Sequence, residues 1–390
     1  MARRAGCVLG WATAALVVVA CSADPASEQR PGGSGGAPSG STAVQEPPAA
    51  TGSPAPRRGE PGFDALPKCF GARATILGAA GDDQIVGTSR VDVIVTLGGN
   101  DQVSGLRHND TVCTGSGNDT VTDVDHYGIT IDLAGGNDRA TGLVGLAEVH
   151  AGAGDDLLTI SAAAATGVGL GPGDDSLRVL LDGRQHDPYN TPCPYYRAAL
   201  RPMRVNLLRG WARGQGHDRL FNVHCVRAGR FGDKVVGSAD ADDIDVGGGN
   251  NRVWSLGGKD VVYTNTGHGD DVFYLGAGND SAMSGMGADR VLGGSGNDFV
   301  EASYGPDHLY GGGGNDALHA SYRCDFGSSA GAGTVDRFPN QVFGGLGYDY
   351  LTGDLGVDHL DGGPGADRGQ GGYRDGQVDW IESVEKIVSC

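Results

Sequence analysis

Residues 275–319 read LGAGNDSAM, SGMGADRVL, GGSGNDFVE, ASYGPDHLY and GGGGNDALH, five nonapeptides in unbroken succession. Every one has Gly in its fourth place, Asp in its sixth and an apolar residue in its eighth. Hairpin turns and flexible low-complexity loops are also rich in Gly, Asn and Asp, but neither requires a nine-residue period carrying an Asp and an apolar side chain together. A stacked coil requires both. The last three residues of a unit, such as Arg290, Val291 and Leu292, suit a very short strand whose middle side chain points inward. The six before them form a turn of residues that tolerate positive φ and close backbone approach. Two units close one coil, so residues eighteen apart stand above one another. The pattern predicts an all-β chain: a right-handed parallel β-helix or β-roll solenoid built from GGxGxDxUx nonapeptides, with two irregular interruptions and terminal caps.

Stacking at that interval sets Asp280 on Asp298 and Asp298 on Asp316 at one edge, and Asp271 on Asp289 and Asp289 on Asp307 at the other. Columns of bare carboxylates repel and would hold the chain open. A hard divalent cation removes that objection. Calcium accepts roughly six to eight oxygen ligands in flexible geometry, which paired carboxylates and loop carbonyls supply, whereas magnesium demands a near-ideal octahedron. Calcium, in multiple copies, is the expected cofactor.

The same places recur along the chain. A first array, 78–178, opens with GAAGDDQIV, GTSRVDVIV, TLGGNDQVS, GLRHNDTVC and TGSGNDTVT, giving Asp83, Asp92, Asp101, Asp110 and Asp119, with Arg90 and His108 where Gly belongs. It continues with Asp138 and Asp156, between which Ala147 takes the Asp place, and a one-residue slip leaves the pairing of Asp156 with Asp175 open. The period breaks over 179–232, read as irregular inserted coils. This stretch gathers His186, Tyr195, Tyr196, Trp211, His217, Asp218 and His224, the one concentration of chemistry outside the repeats.

A second array, 233–319, carries Asp242, Asp260, Asp271, Asp280, Asp289, Asp298, Asp307 and Asp316, with Asn251 in one Asp place and a two-residue insertion at Asn265 expected to bulge a coil. After an insertion at 320–340, residues 341–390 hold the last repeats, with Asp349, Asp358 and Asp367. The terminal coil needs a cover for its open end, for which Trp380, Ile381, Val384 and Ile387 are the candidates.

These repeats resemble the RTX, or haemolysin-type, calcium-binding family over most of 78–370. The resemblance implies a parallel β-roll, calcium in the turns and folding triggered outside the cell. It does not imply toxicity. Toxins and proteases of that family carry a separate catalytic or pore-forming domain, and this sequence has no HExxH motif and no long apolar helix. Those toxins leave the cell by a C-terminal signal, whereas the export signal here is at the other end.

That signal is residues 1–20, with Arg3 and Arg4 before a short apolar run. It ends in Val18, Val19, Ala20 and Cys21, which looks like a bacterial lipobox and marks Cys21 for lipidation. Residues 21–60 are rich in Pro, Gly and Ser, lack the apolar content for a core, and read as a lipid-anchored tether. Residues 61–77 read as an N-terminal cap anchored by Cys69. Six cysteines remain once Cys7 leaves with the signal and Cys21 carries lipid, and an even number in an exported chain points to disulfides. Pairing in chain order gives Cys69 with Cys113, Cys193 with Cys225 and Cys324 with Cys390. A net charge of -19 argues against nucleic acid as a partner.

The expected function is calcium binding by stacked Asp turns, in an extracellular or cell-surface protein of structural or adhesive role, anchored by lipid to a bacterial membrane. Its expected partners are calcium ions and a cell-surface polysaccharide or protein, and it touches the membrane only through its lipid. No catalytic residue is nominated, and the chain is not expected to be an enzyme. The alternative is a β-helix lyase or epimerase acting on exopolysaccharide, with its site near 179–232.

Overall fold

The structure, a computed structural model, describes residues 53–57, 60, 62–122, 124, 127–161, 166–181, 191–264, 267–320, 338–353, 356–371, 380–384 and 386–387. Its strands are two to six residues long and, through the repeats, all pair in parallel. Successive strands fall alternately on two sheets, so the chain winds as a solenoid of about 14 coils. Sheet 1 runs from Ile76–Leu77 to Lys386–Ile387, and sheet 2 from Gln84–Val86 to Trp380–Glu382.

The short strands follow from the turns, since Gly and Asp recur too often for a longer strand to form. In the three-residue strands of the regular repeats the eighth-place residue faces the core, and the longer strands of residues 129–180 bury a second side chain, as Ile129 with Ile131 and Leu158 with Ile160. Ile85, Val103, Val253, Val291 and Leu309 from sheet 2 meet Ile94, Val112, Val262, Val300 and Leu318 from sheet 1, each no more than 1% exposed. Two such side chains per regular coil make a thin core, thickened between residues 106 and 179 by Leu106, Val124, Leu133, Leu143 and Leu170. Much of the cohesion must come from contacts between coils, and these lie in the turns.

Ser53–Pro54 runs antiparallel to Ile76–Leu77 and covers the edge of the first coil. The hairpin of Lys68–Cys69 with Ala72–Arg73 packs Cys69 and Ala74 on Val95, and Cys69 is bonded to Cys113. At the far end Ile381 packs on the core and Val384 lies over Gly369; the side chains of Trp380 and Ile387 fall outside the described part.

The break at 179–232 takes a form that periodicity does not foresee. Inserted coils were expected; sheet 2 instead receives a three-stranded antiparallel meander, Arg204–Asn206, Trp211–Arg213 and His217–Phe221. Its last strand joins Ser176–Leu180 in parallel and its first joins Lys234–Val236 in parallel, so the sheet continues across it.

The expected bond between Cys193 and Cys225 is absent. They stand beside one another in neighbouring strands, aligned by the pairing of Tyr195 with Arg227, as free thiols. The buried Cys225 thiol is 3.6 Å from the Pro192 carbonyl, to which it donates. Cys324 and Cys390 lie outside the described residues.

Candidate metal centre

Each sixth-place Asp sits in the turn just before a strand and is bonded to the next coil. In most of them the Asp's own N–H donates to Oδ1 of the Asp or Asn one coil onward, whereas Asp110 N–H turns to the Arg107 carbonyl. On the edge leading into sheet 2, Asp83 donates to Asp101, Asp101 to Asp119, Asp119 to Asp138, Asp138 to Asp156 and Asp156 to Asp175, at 2.7–2.9 Å. The slip before Asp175 is absorbed, and Asp175 reaches Asp218 across the interruption at 3.4 Å. The edge resumes at Asp233, whose Oδ1 accepts from Met203 N–H, and passes through Asn251, Asp271, Asp289, Asp307 and Asn340 to Asp358. On the opposite edge the order is Asp242, Asp260, Asp280, Asp298, Asp316, Asp349 and Asp367, all at 2.8–2.9 Å. A shorter pair there joins Asp92 to Asp110.

Period counting missed three members. Asp175 falls one residue out of step, while Asp218 lies within the interruption and Asp233 directly after it, where the nine-residue rule gives no place to count from. It also passed over a second ladder in the fifth place, which runs in the reverse sense. Asn118 N–H donates back to Asn100, Asn137 to Asn118, Asp155 to Asn137 and Asp174 to Asp155. The recurrent Asn-Asp pairs in the sequence were its signal.

The turns are of two kinds. In one, the second-place residue has positive φ, as at Gly115, Gly152, Gly276, Gly294, Gly312 and Gly345. The Asp four places on then has a buried Oδ2 with no hydrogen bond, as at Asp119, Asp156, Asp280, Asp298, Asp316 and Asp349. Asp101, Asp138 and Asp260 belong to this open kind although their second places are Leu97, Ala134 and Leu256, held at φ 80, 62 and 81. Asp175, Asp218, Asp289 and Asp367 have the same orphan oxygen.

In the closed kind the turn caps its own carboxylate. Ala79 N–H donates to Asp83 Oδ2, Thr88 N–H to Asp92 Oδ2, Gly229 N–H to Asp233 Oδ2 and Ser238 N–H to Asp242 Oδ2, at 2.5–2.8 Å. Arg107 N–H serves Asp110 in the same way. Ser238 Oγ and His224 Nδ1 further hold Asp242, at 3.0 and 3.5 Å from its Oδ1. Closed turns begin both arrays.

Asn251 shows what the open turn is missing. Its Nδ2 donates to the fourth-place carbonyl of Gly249 at 2.8 Å, and Asn340 Nδ2 likewise to Phe338 at 3.3 Å. Where Asp replaces Asn, an oxygen stands in place of that N–H, so carboxylate and carbonyl oxygens face each other with no proton between them. A buried carboxylate oxygen without a partner is costly, and a hard cation is the partner that carboxylate and carbonyl oxygens share. Among the described residues no three His, Cys, Asp or Glu side chains converge on one point, so such a cage draws on backbone carbonyls as well. The fourth-place carbonyls are packed accordingly: a Cβ on Gly296 or Gly314 would lie on the carbonyl of Gly278 or Gly296 one coil below.

Burial raises these carboxyls. Asp138 is pushed up to about 6, Asp156 to about 7 and Asp175 to about 8, with backbone N–H donors opposing the rise and neighbouring carboxylates adding to it. On the other edge burial takes Asp260 and Asp316 to about 7.

Of the side chains gathered in the interruption, Tyr196 and Asp218 meet, the Tyr196 hydroxyl against the Asp218 carboxylate, while the others are dispersed. Tyr195 hydroxyl meets Glu148 Oε1 and His150 Nε2 at 3.2 and 3.3 Å on sheet 1. Tyr196 is fully buried, Trp211 stacks under Arg213 on sheet 2, and His217 lies 3.9 Å from Asp174 at the turn. His186 is outside the described residues.

Comparison with known families returns one match, a four-copy model of the RTX calcium-binding nonapeptide repeat, at residues 86–121, 228–262, 236–269, 257–291, 265–300, 292–321 and 337–368. No curated protein matches the chain. The stretch between residues 121 and 228 goes unmatched, yet Asp138, Asp156, Asp175 and Asp218 continue the same column there.

Proposed function

Because the chain belongs, by its repeats between residues 86 and 368, to the RTX calcium-binding nonapeptide repeat family, we propose that its open turns are its calcium sites and its closed turns are not. One observation carries this reading: the orphan Oδ2 atoms, buried and repeated from coil to coil, in every turn whose second place has positive φ and sixth place is Asp. Asp101, Asp119, Asp138, Asp156, Asp175, Asp218 and Asp289 would hold calcium on one edge, and Asp260, Asp280, Asp298, Asp316, Asp349 and Asp367 on the other. Asp271, Asp307 and Asp358 share the edge of Asp289 with Asn251 and Asn340, which interrupt it. Asp83, Asp92, Asp110, Asp233 and Asp242 are already capped by N–H groups and serve as metal-free turns.

Bound calcium supplies the positive charge that lets neighbouring carboxylates share a buried edge. The cage does not exist in the unfolded chain, so binding free energy becomes folding free energy. Sites with dissociation constants of about 10⁻⁴ M fill in extracellular medium and empty in cytosol. We place the protein outside the cell on that ground, as a non-enzymatic surface scaffold tethered through 21–60 and lipid-anchored at Cys21.

The test is a calcium titration of the purified, chelated chain, following circular dichroism and bound metal together. Cooperative gain of β structure as several ions bind is expected. Equal β content and melting temperature in chelator and in calcium would refute the reading.

A further inference from the structure

On sheet 1 acids and bases are mixed: Asp132, Glu148 and Glu301 stand with Arg227 and Arg368, and Arg227 is paired with the buried Asp243 at 2.6 Å. On sheet 2, the described strands from Arg139–Leu143 through Gln341–Leu346 contain one acid, Asp218, which is buried in the turn column.

The meander concentrates the opposite charge. Register sets Arg252 beside Lys234, Lys234 beside Arg204, Arg204 beside Arg213 and Arg213 beside His217. Four permanent cations and a histidine thus stand on five adjacent strands, a row roughly 19 Å long at the usual strand spacing. All five are exposed. None of the four cations makes an ion pair among the described residues, and His217 alone has a carboxylate near, Asp174 at 3.9 Å. Like charges directly opposed across strands destabilise a sheet. Here they recur at each step across the meander and onto the two strands that follow it.

Aromatic rings border the row at two places: Trp211 sits under the Arg213 guanidinium at 5.1 Å and, beyond Asn206 and Val236 in register, Trp254 and Tyr274 stack with ring centroids 5.7 Å apart. We propose that this face of sheet 2, centred on Arg204, Arg213, Lys234 and Arg252, binds an acidic polysaccharide. A polyuronate carries one carboxylate per sugar to meet the cations and offers apolar sugar faces to the aromatic rings. Asp174 and Asp270 are exposed on the turns entering this sheet, at the edge of the cationic row rather than within it. The inference requires the folded solenoid but no assignment of calcium to any given turn.

The experiment measures binding of the calcium-loaded full chain to labelled polygalacturonate, with dextran as neutral control and poly-glutamate and a single-stranded oligonucleotide as rival polyanions. The triple variant R204Q/R213Q/K234Q is expected to bind polygalacturonate at least tenfold more weakly, with a shallower salt dependence and no fall in melting temperature. Trp211→Ala is expected to weaken polygalacturonate alone. Unchanged binding by the triple variant overturns the proposal, and binding that then vanishes in chelator assigns it to calcium bridging at the turns. Binding no tighter than dextran, or poly-glutamate or the oligonucleotide bound as tightly and lost equally in the variant, also overturns it. A triple variant that fails to fold is replaced by single R204Q and K234Q, each expected to lose part of the affinity, and unchanged binding by both overturns the proposal.

Discussion

At the sixth place a single atom separates two chemistries. Asn251 presents N–H to the Gly249 carbonyl, and an Asp presents oxygen to the same position. Asn251→Asp is therefore expected to cost about 1–3 kcal/mol in chelator, since it exchanges a hydrogen bond for a buried orphan oxygen, and to add bound calcium when metal is supplied. Asp298→Asn should do the reverse, raising the chelated chain's stability by about 1 kcal/mol and lowering the metal count. Urea midpoints with metal analysis check both. Protons compete for the same oxygens. With Asp138, Asp156 and Asp175 raised by burial to about 6, 7 and 8, the metal-free fold binds more protons than the unfolded chain between about pH 4 and pH 8. Its stability should fall as pH rises through that window, while calcium affinity climbs. Denaturant midpoints at pH 5 and pH 8 should thus rank oppositely with chelator and with calcium. Spacing alone makes the Asp places legible except Asp175, Asp218 and Asp233, but not their division, which depends on whether an N–H early in the turn points toward its own carboxylate.

Among the elements, the turn decides the fold more than the strand does. Gly296 has φ 124, and a Cβ there would meet the Gly278 carbonyl. Gly296→Ala should cost about 3 kcal/mol or more through overpacking and backbone strain together. Leu97, exposed and held at φ 80, predicts the opposite. Leu97→Gly relieves about 1–2 kcal/mol of left-handed strain against about 0.4–1 kcal/mol of added unfolded-state entropy, so a slightly higher melting temperature is expected by calorimetry. The strands themselves were readable from the eighth-place apolar residues, as Val253 and Val291 illustrate. The meander was not. Val205 and Ala212 are buried like any eighth-place residue, but their strands pair antiparallel through a turn at Gly210 that obeys no repeat.

For the whole molecule, the placement of closed turns sets an order of assembly. Each array opens with turns that need no metal, Asp83 and Asp92 in the first, Asp233 and Asp242 in the second. In chelator, amide exchange should be slowest near Gln84–Val86 and Lys234–Val236 and fastest in the open-turn coils around Arg290–Ser295 and Phe299–Glu301. Protection that is uniform along the chain would contradict this order. The bonds that run from each Asp to the next coil also lie along the long axis, in the direction an end-to-end pull would load them. Such a rod yields in steps rather than stretching smoothly. Each freed coil of 18 residues pays out about 55 Å of chain, and calcium bridging the edges acts as rivets, so the force at which the rod lengthens is set by the ions around it.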